Sequence, residues 1–172
     1  VLQYEINYRV SGTDAWSTSQ GDLASLSPER QKEISSLTNG TSYDFRIRYI
    51  NDFGAGQYSS IISSTPFGRL SAVQNFQLVS AGDGTLEFSW NEPSDLSAKG
   101  TTFEKYELYL SSSGTDPNVV HITDQATTSH TFTGLENGRS YTCNVTVYTL
   151  TPLNASISNT TSSNINETPY KS

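Results

Sequence analysis

Leu37-Thr38-Asn39-Gly40-Thr41-Ser42-Tyr43 and Leu135-Glu136-Asn137-Gly138-Arg139-Ser140-Tyr141 are one phrase, Leu-x-Asn-Gly-x-Ser-Tyr, written twice at a distance of 98 residues. Other landmarks return at nearly the same interval. Tyr4-Glu5-Ile6 with Gly12-Thr13-Asp14 comes back as Tyr106-Glu107-Leu108 with Gly114-Thr115-Asp116, and Thr65-Pro66-Phe67 comes back as Thr168-Pro169-Tyr170. A period of about 100 residues is too long for a solenoid turn and fits one small domain. The second copy opens near Leu70, well ahead of Tyr106, whereas only Val1, Leu2 and Gln3 precede Tyr4. The register therefore predicts a partial module over 1–66 that lacks its first strands and a complete one over 67–172, both within a longer polypeptide.

Inside each copy the regular stretches alternate. Tyr4, Ile6, Tyr8 and Val10 share one side and Glu5, Asn7 and Arg9 the other; Tyr43, Phe45, Ile47 and Tyr49 oppose Asp44, Arg46 and Arg48; Tyr141, Cys143, Val145 and Val147 oppose Thr142, Asn144, Thr146 and Tyr148. Period two is the signature of a strand with one face in the core and one in water. Turn pairs such as Ser11-Gly12, Asn39-Gly40, Ser113-Gly114 and Asn137-Gly138 punctuate these runs, and no helical pattern survives between them. Short strands without a helix to cover them must pack sheet on sheet. The expected strands are 2–10, 15–19, 31–36, 42–51 and 57–64 in the first copy. Those in the second are 73–80, 84–91, 103–111, 118–123, 128–134, 140–149 and 155–163. The stretch 21–30 reads equally as a loop or a short helical turn.

Composition narrows the function. A net charge of -7 with no Lys/Arg cluster repels phosphate backbones and anionic lipid heads, so no nucleic-acid partner is expected. No apolar run approaches the ~18 residues of a membrane helix, so no membrane insertion is expected in this segment. A single cysteine, Cys143, excludes a disulfide within the chain. With 10 Tyr and 7 Phe against 16% charged residues, the chain builds its core from aromatics and its surface from uncharged polar groups. Asn39, Asn144, Asn154, Asn159 and Asn166 each open an Asn-x-Ser/Thr triplet, an N-glycosylation acceptor in a eukaryotic secretory setting. A chain this rich in Asn, Ser and Thr also produces such triplets by chance.

Trp90 followed by Asn91-Glu92-Pro93, Tyr106 opening an alternating strand, and Leu135 six residues before Tyr141 resemble a fibronectin type III domain. The first copy matches over its length with Leu37, Gly40, Tyr43 and Asn51-Asp52-Phe53-Gly54-Ala55-Gly56, which is similar to the Asn-x-x-Gly-x-Gly loop of that family. The resemblance implies an all-β, immunoglobulin-like sandwich, two in tandem, displayed as short-linked beads that recognise partners through loops or sheet edges. Its structural core would be Trp90, Tyr106, Leu135, Tyr141, Leu37 and Tyr43, with Tyr43 and Tyr141 as corner tyrosines whose hydroxyls bond backbone a few residues upstream. The sequence departs from the family at Leu150-Thr151-Pro152-Leu153-Asn154, which replaces the Gly-rich loop. It departs again at Ala72-Val73-Gln74-Asn75, where a Pro is common.

Residues with reaction chemistry are few. His121 and His130 stand apart from any cluster of ligands, so no metal and no cofactor is expected. Cys143 reads as a small inward hydrophobe rather than a nucleophile. The acidic residues fall singly on turns, where Asp bonds its own backbone. No phosphate loop, nucleophile elbow or zinc helix motif is present, and no catalytic residue is assigned. Recognition is expected from the loops 92–102 and 150–156 at one pole of the second copy. The face carrying Arg9, Arg46 and Arg48 beside Glu5 and Asp44 reads either as a docking surface or as a charge ladder that keeps the sheet soluble.

The reading is a non-catalytic spacer and protein-contact element of an extracellular, cell-surface or virion-surface protein, such as an adhesin, stalk or fibre. Its expected partners are other protein domains, either neighbouring repeats of the same chain or assembly partners. Accessory domains of a secreted carbohydrate-active enzyme, which a row of exposed aromatics such as Tyr109 and Tyr148 would favour, and a receptor ectodomain fragment remain as alternatives.

Overall fold

The computed structural model describes residues 2–22 and 30–170, and its regular structure is β throughout. The chain divides into two compact units, Val1–Pro66 and Phe67–Ser172. The first holds one antiparallel sheet. Strand β1 (Gln3–Val10) lies between β2 (Ser17–Asp22) and β3 (Tyr43–Asn51), and β3 continues to the short strands β4 (Gly54–Ala55) and β5 (Ile62–Ser64). Tyr4 faces Gly21 across the β1–β2 ladder, and its ring lies so close that a Cβ on Gly21 would stand 2.8 Å from Tyr4 Oη. That missing side chain is why Tyr4 is buried.

The second unit is a sandwich. One sheet runs β10 (Ser129–Phe132), β7 (Thr85–Asn91), β6 (Gln74–Gly82); the other runs β12 (Ser156–Thr161), β11 (Tyr141–Leu150), β8 (Thr102–Ser111), β9 (Asn118–Ile122), with β13 (Ile165–Glu167) also on β11. Alternate residues meet between the sheets: Leu86, Phe88, Trp90 and Phe132 from one side, Tyr106, Leu108, Cys143, Val145 and Val147 from the other. Trp90 meets Tyr106 edge-on at 5.3 Å between ring centroids, and Phe88 meets Phe132 likewise at 6.2 Å. Burying each such aromatic contributes about 1.5 to 3 kcal/mol.

Both corner tyrosines accept the expected kind of bond. Thr38 N donates to Tyr43 Oη at 3.0 Å and Glu136 N donates to Tyr141 Oη at 3.0 Å. Gly84 (φ 63) makes the β6–β7 turn, and its carbonyl accepts from Leu135 N at 2.9 Å; a Cβ there would lie 3.0 Å from Leu135 O. The departure at Ala72-Val73-Gln74-Asn75 appears as a bulge, with Asn75 at φ 49 and a register shift between Gln74 and Gln77.

Several expectations fail. Residues 31–36 form no strand. Their counterparts one repeat later form β10, which exists because β7 pairs with it, and no strand among the described residues plays that part for 31–36. The expected strand 57–64 survives only as Ile62–Ser64, whereas 155–163 is met by β12, and β13 forms beyond it as a strand that alternation did not mark. Of the stretch 21–30, Gly21 and Asp22 belong to β2, while 23–29 lie outside the described residues. The wet and dry faces of the first sheet are also reversed at several positions. Glu5, Asn7 and Asp44 are buried, whereas Ile47 and Tyr49 of the apolar face are 40% and 52% exposed. A set of stacked aromatics covers the polar side, and no second sheet among the described residues covers the other.

Candidate recognition surfaces

The pole of the second unit is built where β7 hands over to β8. After Trp90 the chain turns twice in succession, with Leu96 N donating to Pro93 O and Ala98 N to Asp95 O. Asp95 secures the turn to the start of the unit by accepting from Ser71 N at 3.1 Å and Ser71 Oγ at 2.8 Å, with Lys99 Nζ 3.6 Å away. Burial pushes the Asp95 carboxyl up, but the two bonds from Ser71, joined by its own backbone amide and Lys99, more than offset this and hold it below the usual range.

The result is a cavity of about 570 Å³ lined by Glu92, Ser94, Ser97, Thr101, Phe103 and Gln125, among others. Gln125 Nε2 donates to Glu92 Oε1 at 3.1 Å, and Tyr106 Oη donates to Gln125 O at 3.3 Å, so one wall is tied directly to the core. Hydroxyls, one carboxylate and a carboxamide around a single aromatic edge suit hydrogen-bonded recognition of a polar surface.

The other loop of this pole, 150–156, is joined to the first through the pairing of Leu150 with Thr102. Thr151 closes it: its N–H donates to Ala155 O, its carbonyl accepts from Asn154 N, and its hydroxyl accepts from Ala155 N. Asn154 takes φ 58, and Leu153 at the tip is 88% exposed. Phe53, at the matching tip of the first unit, is fully exposed beside the turn in which Phe53 N donates to Asn51 Oδ1 at 2.9 Å.

On the outer face of the second unit, Glu107 gathers its neighbours. His121 Nε2 lies 2.8 Å away, Tyr148 Oη donates at 3.2 Å, and Lys105 sits over the Tyr148 ring at 4.7 Å. Tyr148 is therefore engaged within its own sheet, and only Tyr109, 39% exposed, remains an open outward ring of the anticipated pair.

The face of the first unit that carries Arg9, Arg46 and Arg48 is a stack of alternating planes. Arg9 and Arg46 lie over Trp16 at 4.2 and 4.1 Å, and Arg46 and Arg48 lie over Tyr58 at 3.9 and 4.4 Å. Beneath the stack Glu5 pairs with Arg48 at 2.7 Å and accepts from Tyr58 Oη and Gln20 Nε2. Asp44 accepts from Ser11 and Ser63 and pairs with Arg9 at 3.2 Å. The Tyr58 hydroxyl, followed by Arg48, holds the Glu5 carboxyl low, and the hydroxyls of Ser11 and Ser63 do the same for Asp44. The three arginines were legible from alternation. Trp16 and Tyr58 were not, because each comes from outside the regular strands and reaches the face through tertiary packing.

The remaining sequence candidates are scattered. Trp90 and Tyr106 are fully buried, Tyr43 is buried, and Leu37, Leu135 and Tyr141 are half-buried at the rim. Cys143 is wholly buried, and burial pushes its thiol up to about 12. His130 packs edge-on against Phe132 at 4.7 Å, and burial lowers its pKa.

Among the triplet asparagines, Asn154 and Asn166 are exposed and Asn39 and Asn144 half-buried. Asn159 is no acceptor site in the folded chain. It is 6% exposed, its amide donates to Val147 O and Thr149 Oγ1, and its oxygen accepts from Leu70 N, each at 2.8 to 3.0 Å. No group of three or more His, Cys, Asp or Glu is arranged for a metal ion among the described residues.

The family profile of the fibronectin type III domain matches residues 71–163. Among solved structures, the crystal structure of chicken CNTN1 FN1-FN3 domains superposes with a TM-score of 0.52 at 14% identity, over 99% of this chain. The chain spans 56% of the length of that structure, and at this identity the likeness concerns the fold. With a two-sheet sandwich, a corner tyrosine and a profile match over more than half its length, the chain belongs to the fibronectin type III family.

Proposed function

We propose that the chain is a non-catalytic spacer and protein-contact segment of a surface-exposed protein, with 1–66 a partial and 67–172 a complete module in tandem. Domains of this family are common interaction and spacer modules of surface and extracellular proteins. The observation that carries the reading is how the second unit spends its large side chains. Trp90, Tyr106, Phe88 and Phe132 are all committed to one closed core, while the polar pole is held in shape by Asp95, Gln125 and Thr151. Contact is then made by a rigid loop platform, through hydrogen bonds to another protein domain, and the sandwich behind it supplies length and mechanical continuity.

Single-molecule stretching tests the spacer role. A spacer of this kind opens in one step with a gain in contour length of about 350 Å for roughly 100 residues, whereas gradual extension without a discrete event would overturn the reading. The surface location is tested by labelling the intact parent particle or cell with an impermeant amine reagent. Modification of Lys99 and Lys105 before lysis is the expected result, and their protection until lysis would refute it.

A further inference from the structure

The face left bare in the first unit has a complete template in the second. Ile47 and Tyr49 of β3 occupy the repeat positions of Val145 and Val147, which are wholly buried beneath β7, yet they are 40% and 52% exposed. Ile47 joins Ile6, Ile34, Leu37, Phe45 and Ile62 in lining a mainly apolar groove of about 490 Å³, with Lys32, Arg46 and two serines beside them.

The rim of this groove is already formed. The Thr38–Tyr43 bond matches Glu136–Tyr141 at 3.0 Å, and Gly40 N donates to Pro66 O at 2.8 Å as Gly138 N does to Pro169 O at 2.9 Å. Ser36 holds φ 62 where Gly134, its counterpart, holds φ 72. A serine in the left-handed region is uncommon, so the stretch leading to Ser36 keeps the backbone course of β10 without the partner that makes β10 a strand.

We infer that this groove seats a two-stranded antiparallel hairpin bearing large apolar side chains at alternate positions, the strand chemistry of Leu86, Phe88 and Trp90, with one of its strands paired to residues 32–34. The inference rests on reading 1–66 as a partial module. In the second unit, residues 130–132 pair with Phe88, Glu87 and Leu86, which gives the expected register. A hairpin meets two needs together. Its side chains cover the apolar face, and its backbone supplies the ladder that 32–34 lack among the described residues. A second copy laid face to face would meet only the first.

The 172-residue chain is titrated with a synthetic peptide of residues 71–92, the hairpin of its own second unit, and followed by hydrogen exchange. With peptide at about ten times its Kd, exchange at 32–34 slows about tenfold. Ile62→Glu, at a position 67% exposed and so tolerant of charge, weakens peptide binding by about tenfold or more.

The proposal is overturned if millimolar peptide leaves 32–34 unchanged, if the Ile62→Glu chain binds as well as the parent, or if the chain alone dimerises through this face and excludes the peptide. Amides of β1 and β3 separate the two levels of failure. Free exchange there without peptide means that the partial-module reading itself is wrong; protection there with no response at 32–34 means that only the docking is.

Discussion

Trp90 and Asn159 hold the second unit by opposite means. Trp90 is the largest buried side chain and fills the space between the sheets against Tyr106; Trp90→Ala leaves a void that no neighbour can close and costs about 3 to 5 kcal/mol. A urea melt of the variant then shows this unit unfolded or close to its midpoint without denaturant. Asn159 acts through polarity, joining Leu70 at the entry of the unit to Val147 and Thr149 of β11. Asn159→Ala strands a buried N–H and a buried carbonyl, and we expect a loss of about 3 kcal/mol in the same assay. The tryptophan was legible in the sequence because large apolar residues in alternating runs go inside. The asparagine was not: its triplet reads as a glycan acceptor, and only the fold shows its amide fully engaged.

Elements depend on partners, and the first unit shows how. Residues 31–36, Gln-Lys-Glu-Ile-Ser-Ser, carry a single strand-former in Ile34, and a strand is defined by its ladder, so the expectation overestimated this segment while alternation located β1, β3, β8 and β11. The stacked face was half legible for a related reason: three arginines share a side by period two, whereas the approach of Trp16 and Tyr58 is set by tertiary packing. Arg46 touches both rings and donates from Nη2 to Asn7 Oδ1 at 3.2 Å. Arg46→Ala should therefore cost about 1.5 to 2 kcal/mol, against about half that for Arg9→Ala, read from chemical denaturation of the first unit. Acid acts on the same face. The carboxyl of Glu5 has a folded pKa below its unfolded value of 4.5, so its contribution is complete above that value and drains away as pH falls through the lowered one. Once the intrinsic slowing of amide exchange in acid is divided out, the protection of the β1 and β3 amides should fall between about pH 5 and pH 3, and Glu5→Gln should flatten that dependence.

At the scale of the whole chain, one unit has a closed two-sheet core and the other, among the described residues, a single sheet with an uncovered apolar side, so their stabilities differ. Hydrogen exchange in rising urea should release β1 and β3 before β8 and β11; simultaneous release would show that the two units unfold as one. Cys143 carries a last consequence. The sole sulfhydryl of the chain is sealed at the centre of the sandwich of the second unit and stays protonated at neutral pH, so neither glutathione nor a cellular oxidant finds a handle while the fold persists. The fold of this segment therefore needs no oxidising compartment to close, because burial and hydrogen bonds hold it without a cystine cross-link.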